Sequence, residues 1–319
     1  MTTVCTVTGD LDVSQLHGVD AHDHLFLDLG CAVPNRAELL LQSEDEAVDE
    51  LLAYAAAGGG AVVCATPIGL GRRPEQLRAA AQRAGVAVLA TGGFHKLAYY
   101  PAGHWVHDYP LTVVADLVHE EVVSGIDRYD YAGPYVERTP VRPGVLKAGS
   151  DFHRLRGREA ALHRIVAETA SATGLPVLLH VEHGAAPHLA LDEVEQAGLP
   201  LDRVLVSHLD RNPDPALHLE VAQRGAYLVY DGLYREKYRP LSAVLDLIGT
   251  LGDAGHVEQL LVGGDLALRS YRRADGAPGL AGLRSLLLTR LAASFGDELV
   301  EQLDTVNARR ALARCGEQP

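Results

Sequence analysis

The sequence predicts one domain, a (β/α)8 TIM barrel that spans residues 1–319. Eight short apolar runs recur along the chain, and each is bounded by turn residues. The runs are continuous rather than alternating, as is typical of strands that helices cover on both faces. Helical patterns separate the runs, and neither a linker nor a low-complexity tract divides the chain. A closed eight-stranded barrel accounts for these observations, and a doubly wound open sheet is the alternative.

The predicted strands alternate with segments of helical periodicity. Between the fourth and fifth strands, apolar residues from Leu155 onward keep a helical spacing, and Gly174 follows as a C-terminal stop. Two further helical segments end in the same way, at Gly85 and Gly225. The eight predicted strands cover residues 18–27, 61–66, 86–95, 144–150, 176–184, 203–210, 226–232 and 259–267.

The balance of acidic and basic residues indicates which classes of macromolecule the protein is not expected to bind. The chain has 28 basic and 42 acidic residues, which give a formal net charge of -14. This balance argues against binding to nucleic acid or to an anionic membrane, although an acidic protein can still hold a local basic pocket. The four cysteines form no CxxC pair, and the N-terminus lacks the basic and apolar regions of a signal peptide. We therefore expect a cytoplasmic protein with reduced cysteines.

Polar side chains follow the apolar runs where the strands end. His22 and His24 are two positions apart in the first strand, so their imidazoles point to the same face. In a barrel of this class, catalytic residues project from the carboxyl ends of the strands and meet around the axis. The sequence therefore predicts one polar site at that end. Its members are His22 and His24 from strand one, Lys147 from strand four, His180 from strand five, His208 from strand six and Asp265 from strand eight.

Four imidazoles and one carboxylate are ligands that zinc, manganese or cobalt accepts. Two such ions could share one hydroxide, lower its pKa towards neutrality and polarise a carbonyl or phosphoryl oxygen. Asp265 is the candidate catalytic residue, because a carboxylate beside that hydroxide can carry its proton to the leaving group. The ammonium of Lys147 would repel the ions. The residues alone leave open whether Lys147 is modified into an anion or is a structural neighbour.

Five segments, in chain order, resemble the phosphotriesterase family of the amidohydrolase superfamily. They are HDH at 22–24, GVLKAGS, LLHVEHG, VSHLDRNPD and VGGDLA, and NARRALA at 307–313 resembles the closing helix of that family. The resemblance implies two divalent ions, with zinc expected first and manganese or cobalt as alternatives. It also implies that Lys147 is carbamylated and bridges both ions. Asp23 departs from the family pattern, in which many members carry Glu, but its side chain should face away from the ions.

The resemblance divides the ligands between the two ions. His22, His24 and Asp265 would hold the more buried ion, and His180 and His208 would hold the more exposed one. Glu182 and Asp210 lie two positions beyond these last two histidines and are candidates to orient them. His95 is not expected to be a ligand. A homodimer would be unsurprising for the family.

Several loops look most like the sugar-lactone-hydrolysing branch of this family, some members of which take phosphorylated lactones. Among them are TGGFHK, AYYPAGHW and YDGLYREKY, which should surround the barrel mouth. Their cations and phenols suit a phosphate or carboxylate, so we expect a small, anionic substrate. The alternative is that the cations are solvated surface residues. The predicted substrate-binding residues are Lys96, Tyr99, Lys237, Tyr238, Arg269, Tyr271 and Arg272.

The segment 96–110 is predicted to form either a lid over the site or a surface loop with Trp105 packed on the barrel rim. The function predicted from these features is hydrolysis of a sugar-acid lactone, with phosphorylation of the substrate left open. The alternatives are an amide or N-acyl amino acid hydrolase, an organophosphate hydrolase and a catalytically inactive binding barrel. The chain has no GxSxG nucleophile elbow and no complete GxGxxG motif.

Overall fold

The computed structural model describes residues 2–29, 36–232, 235 and 237–314. Eight parallel strands form one sheet in which each strand pairs with the next along the chain, and this confirms the predicted barrel. The first and last strands are joined where the backbone amides of Gly264 and Asp265 donate to the carbonyl of His22, at 3.2 and 2.7 Å. The strands are β1 (Val19–Asp23), β2 (Ala61–Cys64), β3 (Ala87–Gly93), β4 (Pro143–Ser150), β5 (Val177–Val181), β6 (Val204–Ser207), β7 (Tyr227–Tyr230) and β8 (Leu260–Val262).

The barrel strands are buried on both faces, which explains their continuous apolar runs. In β5, Leu178 belongs to the inner cluster, whereas Val177 and Leu179 belong to the cluster shared with the helices. His180 follows with the same orientation as Leu178, because side chains two apart share a face. The inner cluster includes Val19, Ala21, Val63, Leu89, Val145, Leu178, Leu205, Val229 and Leu261.

Local sequence explains where several of the helices begin and end. Ser43 caps the first helix by accepting the Glu46 amide, and Gly85 and Gly174 end two helices in the left-handed conformation that glycine favours. The prediction of a helix from Leu155 was wrong, because the helix begins only after Gly157, whose φ is +57°. The helices are α1 (Glu44–Ala56), α2 (Pro74–Ala84), α3 (Leu111–Ser124), α4 (Arg158–Thr173), α5 (Pro187–Gln196), α6 (Pro215–Gln223), α7 (Leu241–Asp253), α8 (Thr289–Phe295), α9 (Asp297–Glu301) and α10 (Asn307–Leu312).

The ends of the barrel carry smaller elements. An antiparallel ribbon of Thr3–Thr6 and Gly9–Asp12 adds Val4 to the inner cluster. The closing helix α10 is tied to the start of β8 because the Asn307 amide donates to the Leu260 carbonyl at 2.7 Å. None of the helices that the structure describes is long and apolar enough to cross a bilayer.

A buried ion cluster holds the long segment between β3 and β4 against the barrel. The guanidinium of Arg72 donates to Glu121 of α3 at 2.6 Å and to Asp130 at 2.7 Å. Farther along the rim, Trp105 contacts the ring of Phe94 with ring centroids 6.0 Å apart, in an edge-on arrangement. This packing favours the surface-loop interpretation of the segment 96–110, although Tyr99 from the same segment lines the central cavity.

Candidate active site

The carboxyl ends of the strands surround a cavity of about 160 Å³. All six residues predicted to hold metal line this cavity, and all six are buried. The structure therefore brings together side chains that are spread over most of the chain. They are His22, His24, Lys147, His180, His208 and Asp265.

Three of these side chains form one half of the site. The Nε2 atoms of His22 and His24 lie 3.8 and 3.5 Å from Oδ1 of Asp265. Nε2 of His22 is buried and has no hydrogen-bond partner within the described residues. A buried nitrogen without a partner is costly unless something binds it, so this group fits a metal ion. His24 is also a suitable ligand, because burial lowers its pKa to about 3 and keeps the imidazole neutral.

The other two histidines face each other across the second half of the site. Nε2 of His208 lies 2.7 Å from Nδ1 of His180. The outer nitrogen of each ring is held by a carboxylate, which is Glu182 at 2.8 Å for His180 and Asp231 at 2.7 Å for His208. Such partners fix the ring orientation and leave the lone pair of each inner nitrogen directed into the cavity, where it could bind a metal. Burial lowers the pKa of His180 to about 4, so its ring is neutral at pH 7.

Lys147 is fully buried at the base of the cavity, where its ammonium donates to the Ala65 carbonyl at 2.9 Å. Burial lowers its pKa to about 8. A fraction of the side chain is therefore a free amine near neutral pH, and a free amine is the form that carbon dioxide carbamylates. The environment of Lys147 thus fits the modification that the resemblance implies.

Asp265 is held by two arginines as well as facing the histidines. Its Oδ2 accepts from Arg211 at 2.6 Å and from Arg235 at 2.8 Å. Burial alone would raise the pKa of this carboxyl, but the nearby guanidinium of Arg235 and the ring of His24 hold it well below its usual range. Asp265 is consequently ionised, as a metal ligand must be. Its role as a proton carrier stays a prediction.

The site contains three further charged residues that were not predicted from the sequence, Asp231, Arg211 and Arg235. Asp231 directly follows the apolar run of β7, the same position that identified the histidines of β5 and β6, so its placement was a usable signal. The two arginines belong to loops after β6 and β7, and their ion pairs with Asp265 depend on three-dimensional proximity. Periodicity and spacing carry no information about that proximity.

Among the predicted substrate-binding residues, Tyr99, Lys237 and Tyr238 line the cavity. Two cations lie close to the ring of Tyr238, with the Arg211 guanidinium 4.6 Å and the Lys237 ammonium 4.7 Å from its centroid. His95, which was not expected to be a ligand, also lines the cavity, with its ring 4.2 Å from that of His180.

The other four predicted substrate-binding residues do not line the cavity within the described residues. Lys96 is buried and pairs with Glu182 at 2.7 Å, so it supports a partner of His180. Arg269 pairs with Glu46 and Asp275 at 3.6 and 3.4 Å. The ring centroid of Tyr271 lies 5.0 Å from the guanidinium of Arg235. Arg272 is buried, donates to the carbonyls of His24 and Leu266, and lies 3.7 Å from Asp23.

The comparisons with known proteins agree with this geometry. A model of the phosphotriesterase family matches residues 2–311. The chain belongs to the phosphotriesterase family. A phospho-furanose lactonase of Mycoplasmopsis synoviae is 29% identical over 276 residues, which are 85% of this chain and 78% of the relative. Membership of the phosphotriesterase family confirms the resemblance and makes the chain a hydrolase.

Two solved structures show how closely the fold follows the phosphotriesterase family. An amidohydrolase from Mycoplasma synoviae has a TM-score of 0.94 at 27% identity, covering 99% of this chain and 93% of its own. A lactonase from Listeria monocytogenes has a TM-score of 0.89 at 25% identity, covering 98% of this chain and all of its own. The match spans the strands that carry the site. The His and Asp groups of this site can accordingly hold metal, as expected for the family.

Proposed function

We propose that this chain opens the lactone of a sugar acid that carries an anionic group, with phosphate as the first candidate. The observation that carries the proposal is the position of three cations, Arg211, Arg235 and Lys237, on the wall of the same cavity as the metal ligands. A carbonyl bound at the ligands would leave the rest of a small anionic substrate within reach of that wall. The phospho-furanose lactonase among the relatives supports the same class of substrate.

The metal part of the proposal assigns each ligand a role. His22, His24 and Asp265 would hold one divalent ion, His180 and His208 a second, and a carbamate on Lys147 would contact both, with zinc as the first candidate metal. When bound, the ions would supply an activated water molecule and polarise the lactone carbonyl. Asp265 would carry the proton released by that water to the ring oxygen that leaves.

The cationic wall suits an anion for a geometric reason. Arg211 and Arg235 are both almost fully buried, and Nε and Nη2 of Arg235 have no hydrogen-bond partner within the described residues. Buried guanidinium N–H groups without partners favour an oxyanion that accepts from them, and a guanidinium matches the planar fork of a phosphate or carboxylate. Lys237 adds an exposed charge beside them. Arg269 reaches this wall only if its side chain leaves Glu46 and Asp275.

The first experiment compares matched aldonolactones with and without a terminal phosphate, using zinc-loaded enzyme and a chelated control. We expect metal-dependent hydrolysis that is faster for the phosphorylated lactone than for the neutral one. Lys237→Met should raise KM for the phosphorylated lactone by about tenfold, which corresponds to ~1.4 kcal/mol of lost charge interaction, and leave the neutral lactone unchanged. Arg290→Met removes an exposed cation on α8 and is the control.

Two other results would change the proposal. Equal turnover of both lactones, unaffected by Lys237→Met, would keep the lactonase and reject the anionic group. Failure to hydrolyse either lactone with two metal ions bound would reject the lactonase and favour the amide or N-acyl amino acid hydrolase. Organophosphate hydrolysis could accompany either outcome as a side activity, because the same activated water attacks phosphoryl centres.

A further inference from the structure

One carboxylate contacts a histidine from each half of the site. Asp231 follows β7 and is fully buried. Its Oδ2 lies 2.7 Å from Nδ1 of His22, and its Oδ1 lies 2.7 Å from Nδ1 of His208. The backbone amide of His208 also donates to Oδ2 at 3.2 Å. The two oxygens of a single side chain are thus divided between the two ligand sets.

These contacts fix the tautomer of both rings. A carboxylate only accepts hydrogen bonds, so Nδ1 of His22 and Nδ1 of His208 each carry the hydrogen. In a neutral imidazole the other nitrogen then offers a lone pair. For His22 that atom is the buried Nε2 without a partner, and for His208 it is the Nε2 that faces His180. Asp231 therefore prepares one ligand for each ion.

The other two histidine ligands have separate partners. Nδ1 of His24 donates to Oγ1 of Thr66 at 2.7 Å, because the Thr66 hydroxyl is itself engaged in donating to the Phe26 carbonyl. Nε2 of His180 lies 2.8 Å from Oε2 of Glu182. Asp265 also lies near both sets, but it approaches His208 only to 4.0 Å. In the part of the chain that the structure describes, Asp231 is the one side chain at hydrogen-bond distance from a ring nitrogen of both sets.

We propose that Asp231 is a positioning residue that couples the two metal sites. An ion that binds either set fixes the ring of its histidine and thereby fixes Asp231. The fixed carboxylate then holds the other histidine in the orientation that its ion requires. Binding of the first ion thus lowers the cost of ordering the second site, which is positive cooperativity. This coupling does not depend on the substrate, so it stands apart from the proposed lactonase activity.

The test is a zinc titration of the metal-free protein, followed by calorimetry and by metal analysis. The buffer is free of carbon dioxide, so that a carbamate on Lys147 cannot couple the ions. Zinc binding to the wild type should be cooperative. Asp231→Ala should weaken the binding of both ions by about 10–100-fold, the usual effect of losing such a partner, and should remove that cooperativity. Glu182→Ala is the matched control, because Glu182 contacts no ligand histidine other than His180 and, besides it, pairs with Lys96, so its loss should weaken one ion by that factor. A folded Asp231→Ala protein that still binds the two ions cooperatively, or in which one ion or neither is weakened, would overturn the coupling.

A second measurement avoids substitution, in case Asp231→Ala fails to fold. In protein labelled with 15N-histidine, the Nδ1–H protons of His22 and His208 should give two low-field, exchange-protected signals. One equivalent of zinc should shift both signals together. A first equivalent that moves a single signal, with the other moving only during the second equivalent, would show that the two halves are independent and overturn the proposal.

Discussion

Two buried histidines outside the cavity show what an imidazole does when no ion is involved. His163 on α4 and His218 on α6 are each almost fully buried, and burial lowers the pKa of both to about 4. Nδ1 of His218 contacts the Tyr230 hydroxyl at 2.5 Å, and its Nε2 contacts the Asn212 carbonyl at 3.0 Å. Their rings are neutral core groups. They differ from the ligand histidines in lying on helices rather than at strand ends.

The depressed pKa of His163 predicts a pH dependence of stability. The folded protein holds this ring neutral, whereas the unfolded chain protonates it below about 6.5, so the unfolded state binds more protons between pH 6.5 and pH 4. The contribution is complete above pH 6.5 and is lost as the pH falls, by about 2 kcal/mol at pH 5. The metal-free wild type should therefore lose about 2 kcal/mol more than His163→Met between pH 7 and pH 5, measured by urea unfolding.

The control for this prediction is His119→Met, which replaces an exposed histidine on α3. It should keep the wild-type slope of unfolding free energy against pH. Equal slopes for the wild type and His163→Met would show that the buried ring does not set the acid sensitivity.

At the scale of elements, the ion cluster of Arg72, Glu121 and Asp130 fixes the segment between β3 and β4 to the barrel. Arg72 is buried and pairs with Glu121 and Asp130, so the removal of one partner leaves a buried charge incompletely compensated. Loss of one member of a buried pair is typically destabilising by about 3–5 kcal/mol. Glu121→Ala should lower the free energy of unfolding by that amount in a denaturant titration.

Glu120→Ala is the matched control, because Glu120 directly precedes Glu121 on α3 and is exposed. Its free energy of unfolding should stay within about 0.5 kcal/mol of the wild type, as for most surface substitutions. Equal losses for the two variants would mean that the Arg72 cluster is not a principal tether of this segment.

The sequence was sufficient to predict all eight strands and the six cavity residues at their ends. Both results follow from local pattern, because a buried parallel strand is continuously apolar and a barrel gathers its strand ends. The start of α4 was misplaced, since Leu155 fits the helical spacing but Gly157 adopts a non-helical backbone conformation. Lys96 was expected to contact substrate, yet the structure pairs it with Glu182. Pairings of this kind depend on distances between loops, which no local pattern encodes.

At the scale of the whole molecule, the candidate ligands connect five of the eight strands. They lie on or just after β1, β4, β5, β6 and β8, so bound metal would tie together distant parts of the chain. Zinc at a free concentration 1,000 times its Kd should stabilise the folded state by about 4 kcal/mol. Chelation should then lower the melting temperature by ~6 °C, given the size of the chain.

The control is His208→Ala, which removes one predicted ligand. Chelation should shift the melting temperature of this variant less than that of the wild type. A wild-type protein that releases two zinc ions without a change in melting temperature would contradict the view that the ions link the strands.

The contact between β8 and β1 has a consequence for folding. The carbonyl of His22 accepts the hydrogen bonds that join the two strands, and one of the donors is the amide of Asp265. A folding intermediate in which β8 has not yet docked would present His22 and His24 but lack the third ligand of that ion. Closure of the barrel and completion of the ligand set of His22, His24 and Asp265 are therefore the same event. The time at which the polypeptide first binds an ion with high affinity would mark the moment at which the first and last strands of the barrel meet.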